Sequence, residues 1–296
     1  VEVTSSDLSE TSEVLISIRN VSEKQEMIEN LLNDYEQTKI LTQARDSFIT
    51  DLSSELISPV NSVIGFSQAL LECLGGDLTE KQKKYANIIH SNGRKIFDML
   101  EEILEITALD ANKREFNFKN FDIIKLVEFV TEAIKPLYDQ KKIELILDYS
   151  TLERRNCNCD DLALRKILLN ILGKSLKFTE TGSVQITLKH PELDFISFHG
   201  IKIPAGYTEK SFIHFSVKDT GIGITESELD NIFDEYRILD KATRQRYGGT
   251  GLSLAITRKI VEKLDGVIWV ESELLKGSDF QFIIPIERVR FSDLGS

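Results

Sequence analysis

Two glycine turns in the C-terminal half of the chain have residue types that bind phosphate. The first, KDTGIGI at Lys218–Ile224, places an aspartate before two glycines spaced by one residue. The second, RYGGTGLSLAI at Arg246–Ile256, runs directly into a helical pattern. Glycines let backbone N–H groups approach phosphate oxygens, and the dipole of a helix N-terminus favours an anion. The pair therefore indicates a phosphate-binding site more strongly than a lone G-x-G.

A second stretch with unusual chemistry is DLSSELISPVNSVIGFS, Asp51–Ser67, inside a long run of helix-forming sequence. Pro59 removes a backbone hydrogen bond and crowds the preceding turn, so we expect a bend there. The stretch also contains several serines and a glutamate, and a serine hydroxyl is a weak nucleophile unless a base takes its proton.

Composition narrows the classes of function. The chain has 296 residues, enough for two or three domains, and a net charge of −12 from 36 basic and 48 acidic side chains. Phosphate backbones normally bind to a positive field, so we expect no nucleic-acid partner. No apolar run approaches the roughly 18 residues of a membrane span. We expect this part of the protein to be cytoplasmic. Membrane association of a longer, full-length protein is compatible with this expectation.

The three cysteines do not indicate a metal or a disulfide framework. They are Cys73 and the C-x-C pair of Cys157 and Cys159. Neither zinc-ligand spacing nor a histidine-rich partner segment is present, so we expect reduced thiols and no metal site.

The sequence on either side of the polar stretch Asp51–Ser67 predicts a helical hairpin. Val21–Ile57 contains neither glycine nor proline, and its apolar spacing predicts a long helix with a coiled-coil seam. Leu74–Asp77 predicts a turn, and Thr79 with Gln82 predicts the capping box of a second helix. Two helices are too thin to hide both apolar faces, so we expect dimerisation into a four-helix bundle.

The glycine turns belong to a different type of sequence. After Lys113, strand patterns such as Lys142–Ser150 alternate with helical ones such as Asp161–Phe178, which predicts an α/β sandwich. Residues Glu192–Ser211 predict an enlarged hairpin tip with no assigned chemistry. At the other end of the chain, Glu13–Lys24 begins as a single alternating strand.

Five motifs in the C-terminal part of the chain resemble those of one protein family and follow one another in the family's order. DTGIGI and GGTGLSL resemble the two glycine boxes of the histidine-kinase ATPase domain. LLNILGKSLKFT (Leu168–Thr179) resembles its asparagine box, IFDEYR its phenylalanine box and KGSDFQFIIP its final glycine box. The stretch around Ser54 is similar to the phosphoacceptor helix, whose usual core is S-H-E-L-R-T-P-L-N. VLISIRNVSEK resembles the last strand of a PAS sensor domain.

The resemblance implies an α+β chain in which a dimeric helical hairpin precedes an α/β sandwich of the GHKL or Bergerat ATPase type. The expected divisions are a PAS-like remnant strand (residues 1–20), a signalling coiled-coil helix (21–45), the dimerisation and phosphoacceptor-type hairpin (46–113), the ATPase-type domain (114–290) and a tail (291–296).

Two positions depart from the family. The phosphoacceptor histidine falls on Ser54, and an alcohol replaces an imidazole whose pKa near 6.5 suits nucleophilic attack. The asparagine whose oxygen helps to hold Mg²⁺ falls on Lys174, and an ammonium cannot ligate a hard cation. At about 4 Å and an effective dielectric near 20, it would repel a divalent ion by roughly 8 kcal/mol. These departures predict impaired Mg²⁺ binding and impaired autophosphorylation.

Nucleotide binding is a separate expectation, because most of the matching residues remain. Asp219 matches the aspartate that accepts from the adenine amino group, and Lys174 could replace the missing ion by pairing directly with phosphate. The sequence allows two alternatives: weak, metal-independent binding of ATP or ADP, or a pocket that is closed and empty. The other matching positions are Asn170, Lys177, Gly221, Gly223, Arg246, Gly249, Thr250 and Gly251.

Three functions follow from the resemblance. The first is a pseudokinase that acts as a dimeric scaffold or allosteric partner for a response-regulator receiver domain or another histidine kinase. The second is a response-regulator phosphatase that uses Glu55 and Ser58. The third is an active ATP-dependent kinase.

Overall fold

The computed structural model describes residues 2–7, 14–19, 27, 49, 52–53, 55–74, 76–204, 206–236 and 250–287. The predicted site residues Ser54, Arg246 and Gly249 lie outside this set, as does most of the predicted coiled-coil helix. The chain divides into two compact units, Val1–Ser58 and Pro59–Ser296, and each is described by itself.

The first unit contains a β-hairpin. Strand β1 (Glu2–Asp7) pairs antiparallel with β2 (Val14–Arg19). The alternating pattern predicts β2, but β1 has no counterpart in the sequence prediction, because EVTSSD contains a single aliphatic residue and shows no apolar period. Residues 55–58 are helical, and Glu55 and Ser58 are both exposed.

The second unit begins with the predicted helical hairpin. Helix α1 comprises residues 59–71, and α2 is Glu80–Asp110. The predicted capping box is present, because Thr79 Oγ1 accepts from Gln82 N and Thr79 N donates to Gln82 Oε1. The helices approach closely at Gly93, where an added Cβ would lie 2.9 Å from Cγ1 of Ile64.

An α/β sandwich follows the hairpin. Its main sheet has five strands in the order β4-β6-β7-β9-β8, with β4 parallel to β6 and the other pairs antiparallel. A second sheet pairs β3 with β5. The strands are β3 (Lys119–Asp122), β4 (Ile143–Asp148), β5 (Asn156–Cys159), β6 (Gly182–Lys189), β7 (Phe212–Asp219), β8 (Val267–Glu273) and β9 (Gly277–Pro285). The helices are α3 (Ile123–Lys141), α4 (Asp161–Phe178), α5 (Leu193–Phe198), α6 (Glu226–Leu229) and α7 (Ser253–Lys263).

The core lies between the helices and the main sheet. Phe215 and Phe282 stack with ring centroids 4.4 Å apart, and Ile167 and Leu168 of α4 are fully buried. Leu109, from the end of α2, belongs to the same apolar cluster. The hairpin and the sandwich therefore share a core.

Two features differ from the sequence prediction. Strand β5 was not predicted, because its sequence NCNC alternates cysteine with asparagine and has no aliphatic residue. The enlarged tip predicted at Glu192–Ser211 does connect the antiparallel strands β6 and β7, but its helix α5 and the 3₁₀ turn at Glu209–Ser211 were not predicted. These build a small apolar cluster with Trp269, on which the His199 ring stacks at 3.8 Å.

Candidate functional site: a nucleotide-type pocket facing the helical hairpin

Helix α4 presents three of the predicted phosphate-binding side chains. Asp160 caps the helix, since its Oδ1 accepts from Ala163 N at 2.8 Å. Asn170, Lys174 and Lys177 then follow at spacings of four and three residues, which places them along one face. All three are half-buried.

The two lysines have perturbed acidity. Burial of the amine lowers the pKa of Lys174 to about 8, and the charge of Lys177 adds to that shift. Burial also lowers the pKa of Lys177. In both cases the carboxylate of Glu102 acts in the opposite direction. This end of the pocket is therefore cationic and faces one carboxylate from α2.

The predicted adenine-binding aspartate lies at the end of β7. Asp219 is buried, and its Oδ1 accepts from Gly221 N at 2.9 Å and from Ser278 N at 3.2 Å. Burial raises its pKa, and these backbone hydrogen bonds oppose that shift. Both of these backbone hydrogen bonds thus go to the same carboxylate oxygen.

Glycines allow the backbone segments around Asp219 to meet. Gly223 has a φ of +67°, and an added Cβ would lie 2.1 Å from the Glu273 carbonyl oxygen. Gly277 has a φ of +108°, and its Cβ would lie 1.9 Å from the Asp219 carbonyl oxygen. A side chain at either position would push the first glycine turn away from β8 and β9.

A buried hydroxyl lies beside this turn. Thr179 caps the C-terminus of α4, next to Phe178, whose carbonyl oxygen accepts from Ile222 N at 3.2 Å. Its side chain is fully buried, and Oγ1 has no hydrogen-bond partner among the described residues. An unpaired buried hydroxyl is costly, so this atom is suited to a ligand or a bound water.

The second glycine turn meets α4 from the other side. Gly251 has a φ of +77°, and Thr250 Oγ1 accepts from Leu252 N at 3.1 Å. Asn170 Nδ2 donates to Ser253 O at 3.2 Å and to Thr257 Oγ1 at 3.1 Å. The asparagine amide therefore ties α4 to the start of α7.

Helix α2 packs against this pocket with acidic side chains. Glu105 pairs with Arg114 at 2.5 Å and with Lys166 of α4 at 3.2 Å. Asp110 pairs with Lys259 of α7. Glu102 accepts a hydrogen bond from Thr250 Oγ1.

The structure brings together the described part of the predicted nucleotide site. The α4 residues, the first glycine turn and Thr250–Gly251 surround one region, whereas Glu55 and Ser58 belong to the first compact unit. Sequence reasoning missed Glu102. It lies in the run EEILEI, where no residue type or spacing marks it, and its partners are remote in sequence.

Within the described ranges, no helix combines the length and apolarity required to cross a membrane. The same residues contain no group of three or more His, Cys, Asp or Glu side chains arranged to hold a metal ion.

Comparison with protein families identifies the class of protein. Residues 159–288 match the family of histidine kinase-, DNA gyrase B- and HSP90-like ATPases. Residues 44–112 match the His Kinase A phosphoacceptor domain. The two matches together cover about two thirds of the chain. The chain belongs to the sensor histidine kinases of two-component signalling.

Several curated histidine kinases are similar to it. The circadian input-output histidine kinase CikA of Synechococcus elongatus is 32% identical over 262 residues, 88% of this chain. The autoinducer 2 sensor kinase/phosphatase LuxQ of Vibrio cholerae is 30% identical over 251 residues, 85% of this chain. The chain spans 32% and 27% of the lengths of these relatives.

Solved structures agree on the fold. Full-length ShkA, crystallised with AMPPNP, superimposes with a TM-score of 0.65 at 28% identity over 82% of this chain and 46% of its own. The histidine kinase ThkA in complex with the response regulator TrrA gives a TM-score of 0.54 at 21% identity, over 96% of this chain and 74% of that one. The second likeness concerns the fold alone.

Proposed function

We propose that this chain is a pseudokinase: a histidine-kinase signalling module that does not autophosphorylate and acts as a dimeric scaffold or allosteric partner. Its partner is a response-regulator receiver domain or another histidine kinase. The proposal rests on two departures from the histidine-kinase motifs. Ser54 stands at the phosphoacceptor position, and Lys174 stands at the position of the magnesium ligand.

The geometry around Lys174 is the observation that carries the proposal. Its amine lies on the same α4 face as Asn170 and Lys177, and its pKa of about 8 keeps most of it charged at neutral pH. A neighbouring second cation makes the site more unfavourable for a divalent metal ion. The residues present do not fit Mg²⁺ at this position, whose usual ligands are oxygens.

The same residues fit a nucleotide without that metal. Both backbone bonds to Asp219 go to Oδ1, so the backbone does not occupy Oδ2, which can accept from an exocyclic amine. The unpartnered Thr179 hydroxyl supplies a polar atom beside it. Lys174 and Lys177 would hold phosphate oxygens by charge. ATP bound here would carry a transferable phosphoryl group, but Ser54 offers it a poor nucleophile.

Exposed apolar side chains on the hairpin support dimerisation. Phe66 of α1 is 74% exposed, and Ile88, Ile89 and Ile96 of α2 are each almost half exposed. A contiguous apolar surface on paired helices is typical of an interface. A second copy of the hairpin would complete a four-helix bundle.

A response-regulator phosphatase is the second candidate function. Glu55 and Ser58 are exposed, so a receiver domain can reach both. A carboxylate and a hydroxyl three residues apart on a helix can orient a hydrolytic water between them.

One assay separates these functions. The protein is incubated with γ-labelled ATP and Mg²⁺, alone and with a phosphorylated receiver domain, beside a Ser54→Ala control. We expect no label on the chain, an unchanged rate of label loss from the receiver, and retained receiver binding. Faster loss that requires Glu55 and Ser58 would favour the phosphatase. Label that disappears in the Ser54→Ala variant would overturn the pseudokinase proposal.

A further inference from the structure

The carboxylate of Glu102 lies among the residues that we assign to nucleotide phosphates. It accepts from the hydroxyl of Thr250, in the second glycine turn. Its charge also acts on the amines of Lys174 and Lys177 and raises the pKa of each, against the effect of burial. Glu102 thus has one hydroxyl donor in contact and two ammonium groups near enough to interact with it by charge, which are the kinds of group that bind phosphate.

Other acidic residues on the same face of α2 have a different environment. Glu105 pairs with Arg114 and Lys166, and Asp110 with Lys259. None of these cations belongs to the proposed nucleotide site. Glu105 and Asp110 therefore fasten α2 to the ATPase-type domain, whereas Glu102 alone among these three acids reaches into the pocket.

We propose that Glu102 acts as an internal anion that occupies a phosphate position, so that a nucleotide must displace it to bind fully. This inference rests on the proposed nucleotide site. A nucleoside triphosphate and the Glu102 carboxylate carry like charges and use the same donors, so only one of them can be paired there at a time. Nucleotide binding and the docking of α2 are consequently coupled.

The coupling must act in both directions. Because the carboxylate opposes the phosphates, its neutralisation strengthens nucleotide binding. Because the nucleotide removes the hydrogen bond between Thr250 and Glu102, its binding loosens the C-terminal half of α2. The helical hairpin is the part of the chain through which a partner would sense this change.

Titration calorimetry of the full chain with ATP in EDTA tests the proposal. We expect Glu102→Gln to bind ATP about 5- to 150-fold more tightly than the unmodified chain, the range of typical coupling between sites. Glu101→Gln, at an exposed neighbouring position, should leave the affinity unchanged. Glu105→Gln breaks a fastening contact and should change it much less than Glu102→Gln.

Hydrogen exchange provides a second measurement. ATP should increase amide exchange around Leu104–Leu109 in the unmodified chain, while Glu102→Gln without nucleotide should already show part of that increase. Equal affinities of the Glu102→Gln variant and the unmodified chain would overturn the internal-anion role and leave nucleotide binding intact. If neither protein binds ATP, the nucleotide site itself is wrong and the inference fails with it.

Discussion

At the scale of single residues, the proposed metal-independent nucleotide binding depends most on Lys174. The pKa of its amine is about 8 because of burial, compared with 10.5 for an ordinary lysine. It therefore loses its charge at a pH where phosphate groups, whose second pKa is about 6, remain dianionic. A pocket that uses this ammonium in place of a metal ion must weaken as the pH rises.

We expect ATP affinity in EDTA to fall about tenfold between pH 7 and pH 9, because the charged fraction of an amine with pKa 8 falls by that factor. Calorimetry at pH 7, 8 and 9 measures it. The folded protein does not lose stability from this group over the same range, since the cost of burying the ammonium is largest below pH 8 and decreases towards pH 10.5.

The matched control for this titration is Lys174→Met, which should bind weakly and with a smaller pH dependence, since only Lys177 remains to titrate. Binding that appears only when Mg²⁺ is added would contradict the metal-independent reading of Lys174. It would mean that Mg²⁺ binds in this site despite the ammonium group of Lys174.

At the scale of elements, the hairpin contains two glycines that provide a matched test of packing. An added Cβ at Gly93 would lie 2.9 Å from Ile64, whereas nothing lies within 4 Å of a Cβ at Gly65. Alanine is favoured over glycine within a helix by about 1 kcal/mol. Crowding of a packed interface costs about 1–3 kcal/mol.

We therefore expect Gly65→Ala to leave the hairpin unchanged or stabilise it by up to about 1 kcal/mol. Gly93→Ala should be neutral or destabilising by up to about 2 kcal/mol, the crowding cost less the helix preference. Thermal unfolding of both variants measures the difference. A Gly93→Ala protein more stable than Gly65→Ala would show that the two helices are not in close contact.

The same scale shows what sequence can predict. Helix α4 was predicted as Asp161–Phe178 and occupies those residues, because Asp160 provides a cap and the apolar period is regular. Strands β1 and β5 were missed because neither has an apolar period. The asparagine box and the first glycine turn are local motifs, so their residues were found. Glu102 was not, because its role depends on tertiary contacts.

At the scale of the whole molecule, the proposed loss of kinase activity involves two separate parts of the chain. Ser54 stands where the resemblance predicts the phosphoacceptor, and Lys174, in the ATPase-type domain, stands where it predicts the magnesium ligand. Phosphoryl transfer requires both a nucleophile and an activated phosphoryl group, so either one alone gives no product. Each single replacement should therefore fail, and activity depends on repairing both.

We expect Ser54→His combined with Lys174→Asn to autophosphorylate on the new histidine, while Ser54→His alone and Lys174→Asn alone remain unlabelled. The histidine supplies a nucleophile with a pKa near neutrality, and the asparagine restores an oxygen ligand for Mg²⁺. Labelling with γ-labelled ATP, followed by acid treatment, detects the product, since a phosphohistidine is acid-labile and a phosphoserine is not. If the double variant stays silent although it binds Mg²⁺ and ATP, a third defect exists.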